Sequence, residues 1–465
     1  MDKIKLSFIL KSTGGVLIKG DEDFTVNKVS TDSRKVDGDS LFFPLIGVNH
    51  DAHKFLKQVY DNGCKTIAVS DEAWIKEMSI YNDINIIKVD DTLYAMQELA
   101  KEYLNTLNVK KISITGSVGK TTTKDLLFSI LNSKYKAGRN IGNLNNDIGV
   151  PLTIFSFDSS LDAVIIEMGM GYDGHIERLA EIVKPDVAII TTIGSSHIEI
   201  HKTREGILKE KLKITDYFDS ANTLVVNETC DLLKSQSMDE LINGRFKVCT
   251  VGNDNSDFSV KNICDLGALG IEFTLVHLDK EYRIKLPIIG AHNALNASLA
   301  IAGAYELGVN VDQAILGLSQ LDMTKNRLEI KAKGKFTIID DTYNASKESM
   351  CAALDTLKNI KGKRKIAILG DMYELGEDTS RSHEIVGEYA AETQIDILIA
   401  IGENAVDTAE AARQKGGIGR VYYFKEKEEV YSLLSDILKK GDTILVKASR
   451  GMALEKVVEQ IEKIS

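Results

Sequence analysis

Residues 110–123 read KKISITGSVGKTTT, an apolar strand that runs into a glycine turn and closes on Lys-Thr-Thr. A turn of this kind cradles a nucleotide phosphate. Backbone N–H groups of Gly116, Ser117, Val118 and Gly119 point at the phosphate oxygens, Lys120 supplies a point charge, and Thr121, followed by Thr122, offers a hydroxyl to Mg²⁺. Leu126, Leu127, Ile130 and Leu131 then recur at helical spacing. A helix is therefore expected, with the partial positive charge of its N-terminus behind the loop. Only Ser117 and Val118 separate Gly116 from the Gly-Lys pair, where the standard phosphate loop has four residues. This shortened form narrows the kind of ATP enzyme.

Outward from the loop, buried strands alternate with helices. Residues 112–115, 163–167, 187–192 and 224–227 are strand-like and predict a central, P-loop-type, mostly parallel sheet over 89–322. The run 294–307 is apolar almost all round, as in a buried helix. From 323 to 465 the alternation restarts at 336–340, 365–369, 397–401, 421–424 and 443–447, predicting a Rossmann-like, doubly wound sheet. Residues 1–88 hold short strand-like runs at 40–45, 66–70 and 84–89 without a phosphate loop, which reads as a small N-terminal α/β module. The expectation is an α/β protein of three domains, 1–88, 89–322 and 323–465.

Composition narrows the partners. A net charge of −11 over 465 residues argues against nucleic acid or an anionic membrane, both of which need an extended basic surface. No window reaches the roughly 18 apolar residues of a transmembrane helix. The start, MDKIKLSFILKSTGG, is read as an amphipathic helix and not a signal peptide, because Lys5, Ser7 and Lys11 interrupt its apolar run. Five scattered cysteines form neither a metal spacing nor a disulfide framework, which fits a reducing cytoplasm.

Several polar residues stand where chemistry would be placed. Glu167 ends AVIIEMGMG at a strand tip, where ligands of open α/β sheets bind, although a turn carboxylate would look the same. His197, in TTIGSSHIE, also follows a strand. With Thr121 these make a set of hard oxygens and one imidazole suited to Mg²⁺ or Mn²⁺. Lys209, Lys211 and Lys213 of REGILKEKLKI read as a solvated helix face. Asn293 and Asn296 of GAHNALNAS share a helix face and either read an adenine edge or cap the helix. Asp340, Asp341, Tyr343 and Asn344 (IIDDTYNAS), Asp371 (ILGDMYELG), and Lys447, Ser449 and Arg450 (VKASRGMA) crowd three strand tips. That crowding marks a cleft, though Asp and Asn also make simple turns. Ser30, Asp32, Ser33 and Arg34 could hold a diphosphate or uracil, or form an ordinary turn.

Taken in order, DSRKVDGDSLF, ITGSVGKTTTK, GNLNNDIGVPLT, EMGMGYDGHI, KPDVAIITTIGSSHIE, GAHNALNA, DDTYNAS, LGDMYELG and VKASRG resemble the Mur ligase family. These are ATP-dependent amide ligases of peptidoglycan precursor assembly with the same shortened TGSxGKT loop. The resemblance implies that ATP phosphorylates the terminal carboxylate of a UDP-N-acetylmuramoyl-tripeptide and that the amine of D-alanyl-D-alanine attacks the acyl phosphate. Catalysis would then be positioning and charge stabilisation.

By the family pattern, Lys120 grips the phosphate, and Thr121 and Glu167 hold one Mg²⁺. Glu167, His197 and Lys211, carbamylated by CO2, hold a second; only the resemblance lifts Lys211 out of the solvated face. Asn293 and Asn296 would lie near adenine, with Arg327 and Asp341 near the ATP phosphates and ribose. Ser30, Asp32, Ser33 and Arg34 would lie near UDP, and Tyr343, Asn344, Lys447 and Arg450 near the dipeptide or tripeptide. The adenine groups and Asp341 fall in different expected domains and meet only if these close. A cytoplasmic monomer is expected.

Lys347 in NASKES stands where many relatives have Pro, and EMGMGYDGH departs from commoner forms with Asn or His in the middle. Three rival readings stay open. A sister ligase adding lysine or meso-diaminopimelate would usually carry a DNPR-type run, which does not occur here. Folylpolyglutamate synthetase has its phosphate loop nearer the N-terminus. A nucleotide switch without ligase chemistry would not need Glu167, His197 and a polar second sheet.

Overall fold

The computed structural model describes the whole chain except Asn49, 235–237, 239–241, Asp322, Lys325, Asn326 and Ser465, and the side chains of Ala332 and Lys333. The expected boundary at residue 322 therefore falls outside the described residues. By its contacts the chain forms two compact units. One comprises Met1–Ser113, Tyr135–Asp186 and Lys213–Phe218, the other Ile114–Lys134, Val187–Leu212 and Asp219–Ser465.

In the first unit a five-stranded sheet runs Val16–Lys19, Asn85–Lys88, Thr66–Val69, Ser40–Phe42, Lys28–Ser30. Val16–Lys19 joins antiparallel and the other neighbours are parallel. Phe42, Ile67, Val69 and Ile86 pack with Leu56, Val59, Ile75 and Met78 in one core, so the short apolar runs of the sequence are indeed strands. The chain start forms a helix, Leu6–Thr13, ended by Gly14 in the left-handed region (φ 67°). A longer helix, Thr92–Thr106, is N-capped by Asp91, whose side chain accepts from the Tyr94 N–H, and it buries Ala95, Met96, Leu99, Ala100, Tyr103 and Leu104 on one face. The strands Ala137–Arg139 and Ala163–Glu167 pair in parallel.

In the second unit, Val187–Ile190, Thr223–Asn227, Lys247–Gly252 and Phe258–Asp265 are consecutive parallel neighbours. An antiparallel hairpin, Ile271–His277 with Lys280–Leu286, completes this sheet edge. Its two-residue turn is Leu278–Asp279, with φ of 48° and 59°. Two left-handed residues suit the twist of a hairpin, but glycine and asparagine are the usual occupants. The hairpin is therefore invisible to turn signals. The helix Asn293–Glu306 buries nearly every residue from Asn293 to Ala304, in agreement with its apolar sequence.

The C-terminal sheet of this unit runs Glu329–Lys333, Phe336–Asp341, Asp442–Lys447, Arg364–Gly370, Ile397–Ile401, Arg420–Phe424. Only its first pair is antiparallel. Ile338, Ile366, Ile368, Ile444 and Val446 feed one core, and Ile339, Ala367, Leu369 and Leu445 the other. Alternate residues thus serve opposite faces, as a sheet covered by helices on both sides requires.

Candidate active site

The strand Lys110–Thr115 ends at Gly116, and the helix Lys120–Leu131 begins after Gly119. Both glycines are forced by space and backbone. Gly116 has φ 146° and a Cβ there would lie 1.9 Å from Thr191 Oγ1; Gly119 has φ 91° and a Cβ would lie 2.5 Å from Asn296 Oδ1. The loop is stitched to the segment after the strand Val187–Ile190. Ser117 N–H donates to Thr192 O at 2.8 Å, Gly194 N–H to Ser117 Oγ at 2.9 Å, and Thr191 Oγ1 to Val118 O at 2.6 Å. Lys120 Nζ folds over the loop, donating to Gly116 O at 2.6 Å and Ser117 O at 3.3 Å. Thr121 is buried at the first helical turn.

Lys211 lies on the helix Arg204–Leu212 and is 1% exposed, which corrects the solvated-face reading for this residue. Burial, and then the nearby Lys120 charge, pushes its amine well below the ordinary lysine value. Lys213 pairs with Asp173 and Glu177, and Lys209 stays exposed. His197 has φ 66° and places Nδ1 2.8 Å from Glu374 Oε2. That hydrogen bond holds the Glu374 carboxyl below its ordinary value.

Asn293 and Asn296 back the phosphate loop. Asn296 Nδ2 donates to Asn293 Oδ1 at 2.8 Å, and Asn293 Nδ2 to Ile289 O at 2.9 Å. Just before them, burial holds His292 below its ordinary value, and the charges of Asp341 and Lys447 face it. The third sequence segment thus reaches the residues expected at adenine. Asp341 and Lys447 are in register on neighbouring strands and joined at 2.6 Å, and Lys447 also donates to Asn344 O at 2.8 Å. Arg327 stacks its guanidinium 3.9 Å from the centre of the Tyr343 ring, and its buried Nε has no hydrogen-bond partner among the described residues. Asp340 is tied to Lys331 and Thr342. Asp371, raised above its ordinary value by burial, accepts from the N–H groups of Asn404 and Ala405. Arg450 pairs with Glu455 at 3.3 Å.

In the first unit Glu167 is 2% exposed and is oriented by two asparagines to which sequence reasoning assigned no role. Asn145 Nδ2 donates to its Oε1 at 2.9 Å. Asn140 exchanges hydrogen bonds with its backbone N–H and C=O, both at 3.0 Å. The run GNLNNDIG contains Asn145, and Asn140 lies two residues before it, but nothing there says which strand tip they serve. In the other strand-end turn of this unit, Asp32 grips Arg34 through Nε and Nη2, both at 2.9 Å, which holds the Asp32 carboxyl down at about 2. Ser30 Oγ accepts from the Asp32 N–H at 3.1 Å, and Ser33 donates to Gln58 at 3.4 Å. The Arg34 side chain is largely exposed.

The Mur ligase middle domain family matches residues 114–304, and the Mur ligase, glutamate ligase domain family matches 326–450. A UDP-N-acetylmuramoyl-tripeptide--D-alanyl-D-alanine ligase of Bacillus subtilis is 35% identical over 95% of this chain and 94% of its own length. The chain belongs to the Mur ligase family. Among solved structures, MurF from Acinetobacter baumannii superposes with a TM-score of 0.90 at 29% identity, over 100% of this chain and 99% of its own. MurF ligase from Thermotoga maritima in complex with ADP gives 0.82 at 26%, over 94% and 97%.

Among the described residues no three His, Cys, Asp or Glu side chains converge as a metal cage. The donor set expected for a Mur ligase has only Glu167 and His197 of those types; the rest are hydroxyl, carbamate and nucleotide oxygens. Mg²⁺ is commonly held by one or two carboxylates, substrate phosphates and water, so this donor chemistry fits it. Burial shifts the Lys211 amine toward its neutral form, the form that adds CO2.

Proposed function

We propose that this Mur ligase joins D-alanyl-D-alanine to UDP-N-acetylmuramoyl-tripeptide, giving the pentapeptide precursor of peptidoglycan, ADP and phosphate. The chain is an ATP-dependent ligase. The observation that carries the substrate reading is the match, over nearly the full length of both chains, to a ligase named for that reaction. ADP in the Thermotoga maritima structure supports ATP as the nucleotide.

The residues divide the work as follows. Gly116, Ser117, Val118, Gly119, Thr121 and Thr122 cradle the phosphates, and the Lys120 ammonium exchanges its two loop carbonyls for phosphate oxygens. That exchange concentrates positive charge where the γ-phosphoryl leaves. Thr121, Glu167, His197 and carbamylated Lys211 would hold Mg²⁺, which neutralises phosphate and carboxylate oxygens when bound. Asn293 and Asn296 line the adenine side, and Arg327 and Asp341 the phosphate and ribose side. Ser30, Asp32, Ser33 and Arg34 take the UDP portion, while Tyr343, Asn344, Lys447 and Arg450 face the peptides. An amine does not displace oxide from a carboxylate. Phosphorylation of the tripeptide carboxylate therefore supplies the leaving group that the dipeptide amine expels.

Three functional segments, 1–88, 89–322 and 323–465, and a cytoplasmic monomer belong to this proposal. Among the described residues no helix is long and apolar enough to cross a membrane. The test is an omission experiment: ATP-derived phosphate should appear only when both the UDP-muramoyl-tripeptide and D-alanyl-D-alanine are present. Turnover unchanged without the dipeptide refutes the assignment. Turnover with lysine or diaminopimelate on the dipeptide precursor would favour the sister ligases instead.

A further inference from the structure

The segment carrying His197 is gripped twice by carboxylates that lie far along the chain. Glu348, in the first turn of the helix Lys347–Asn359, accepts from Ser195 N–H at 3.0 Å and from Ser195 Oγ at 3.2 Å. Its approach is close enough that a Cβ on Gly194 would lie 2.9 Å from Glu348 Cδ. Glu374 meets His197 Nδ1 at 2.8 Å. His197 and Glu374 are both non-glycine residues in left-handed backbone, with φ of 66° and 64°. Such backbone is costly and persists where the surroundings over-determine it. Two strained residues whose side chains meet indicate that the meeting itself is what the fold maintains. Next to them, a Cβ on Gly376 would lie 3.0 Å from Glu199 Cγ, so the two loops are in contact beyond the hydrogen bond.

An imidazole that donates from Nδ1 exposes its lone pair at Nε2. Metal-binding histidines commonly give their second N–H to a carboxylate, which fixes the tautomer, aims the ring and strengthens the donor. We propose that Glu374 is a positioning residue that accepts from His197 Nδ1–H and so presents Nε2 to a divalent cation, while Glu348 holds the loop in place. This rests on the metal reading of His197 above. Both carboxylates lie within the 326–450 match, and the histidine lies within the 114–304 match. A metal-ready His197 is thus assembled by contact between two parts of the second unit.

The test uses the full-length protein and Mn²⁺ alone, with binding followed by electron paramagnetic resonance. Wild type is compared with His197→Ala, Glu374→Ala and Glu374→Gln. Nitrogen-15 histidine spectra report the tautomer independently of activity. Weaker Mn²⁺ binding in both His197→Ala and Glu374→Ala, by about 10–100-fold, is expected, together with loss of the Nδ1–H tautomer in Glu374→Ala. Glu374→Gln should lose less, because its amide oxygen still accepts. The Glu374 side chain is 63% exposed, so truncation removes little packing, and the Gln variant keeps its volume. If His197→Ala weakens Mn²⁺ but Glu374→Ala changes neither affinity nor tautomer, the positioning role is wrong and the metal reading stands. If His197→Ala leaves Mn²⁺ binding unchanged, the metal reading falls and this inference with it.

Discussion

Replacing Lys211 by Met should change how many protons the protein takes up on unfolding. The side chain is 1% exposed, and burial followed by the Lys120 charge holds its amine well below the ordinary 10.5. The sign follows from linkage. Between the lowered native value and 10.5 the native amine is neutral and the unfolded one is charged, so the unfolded state binds more protons and stability rises with pH. One such group contributes a slope of about 1.4 kcal/mol per pH unit across that window. Methionine keeps the stem and removes the titration. In CO2-free buffer, at a pH between the lowered native value and 10.5, a pH-stat should record about one more proton taken up by wild type than by Lys211→Met on transfer to guanidinium. Equal proton uptake by the two proteins would refute the lowered native value of the buried amine.

Three further outcomes can be measured. Gly119→Ala, with φ 91° and a Cβ 2.5 Å from Asn296 Oδ1, should weaken ADP binding by roughly tenfold or more in calorimetry; Asn296→Ala should restore part of it, because contacting sites are not additive. Lys447→Met removes the ammonium 2.6 Å from the buried Asp341 carboxylate and should destabilise by about 3–5 kcal/mol in denaturant titration, with Asp341→Asn in the same chain recovering most of it. Lys347→Pro should stabilise by about 0.4–1 kcal/mol in thermal unfolding. Lys347 is the first residue of its helix, and the preceding Ser346 has φ −140° and ψ 164°, the extended backbone that a residue before proline prefers.

That last position shows why the departure from the family pattern at Lys347 is harmless to the fold. The first helical residue needs no N–H bond, so proline is favoured there without being required. Other features were legible for equally physical reasons. The four inner strands of the C-terminal sheet are apolar on both faces, and the phosphate loop carries its glycines where φ is positive. Lys211 was not legible, because REGILKEKLKI has the charge density of a solvated helix and only tertiary packing buries one of its lysines. Asn145 was quoted as motif without a role and Asn140, two residues before that run, was passed over, since the carboxylate they orient lies on another strand. Glu348 meets Ser195 across 153 residues, a separation that local pattern cannot bridge. The Leu278–Asp279 turn hid a whole hairpin by using residues that seldom adopt left-handed backbone.

The interleaving of the two units has a consequence for synthesis. The first unit is not complete until Phe218 has been made, although most of its strands are finished by Ser113. At about 5–20 residues per second, a ribosome needs on the order of 5–20 s to supply the stretch between those points. During that interval the nascent chain holds an unfinished core, with apolar strand and helix faces waiting for partners not yet translated. Chaperone capture should therefore peak on chains of intermediate length. Truncated clones ending near residue 113 should be found in inclusion bodies, and a permutation that makes 1–218 the last part synthesised should shift that vulnerable period to the end of translation.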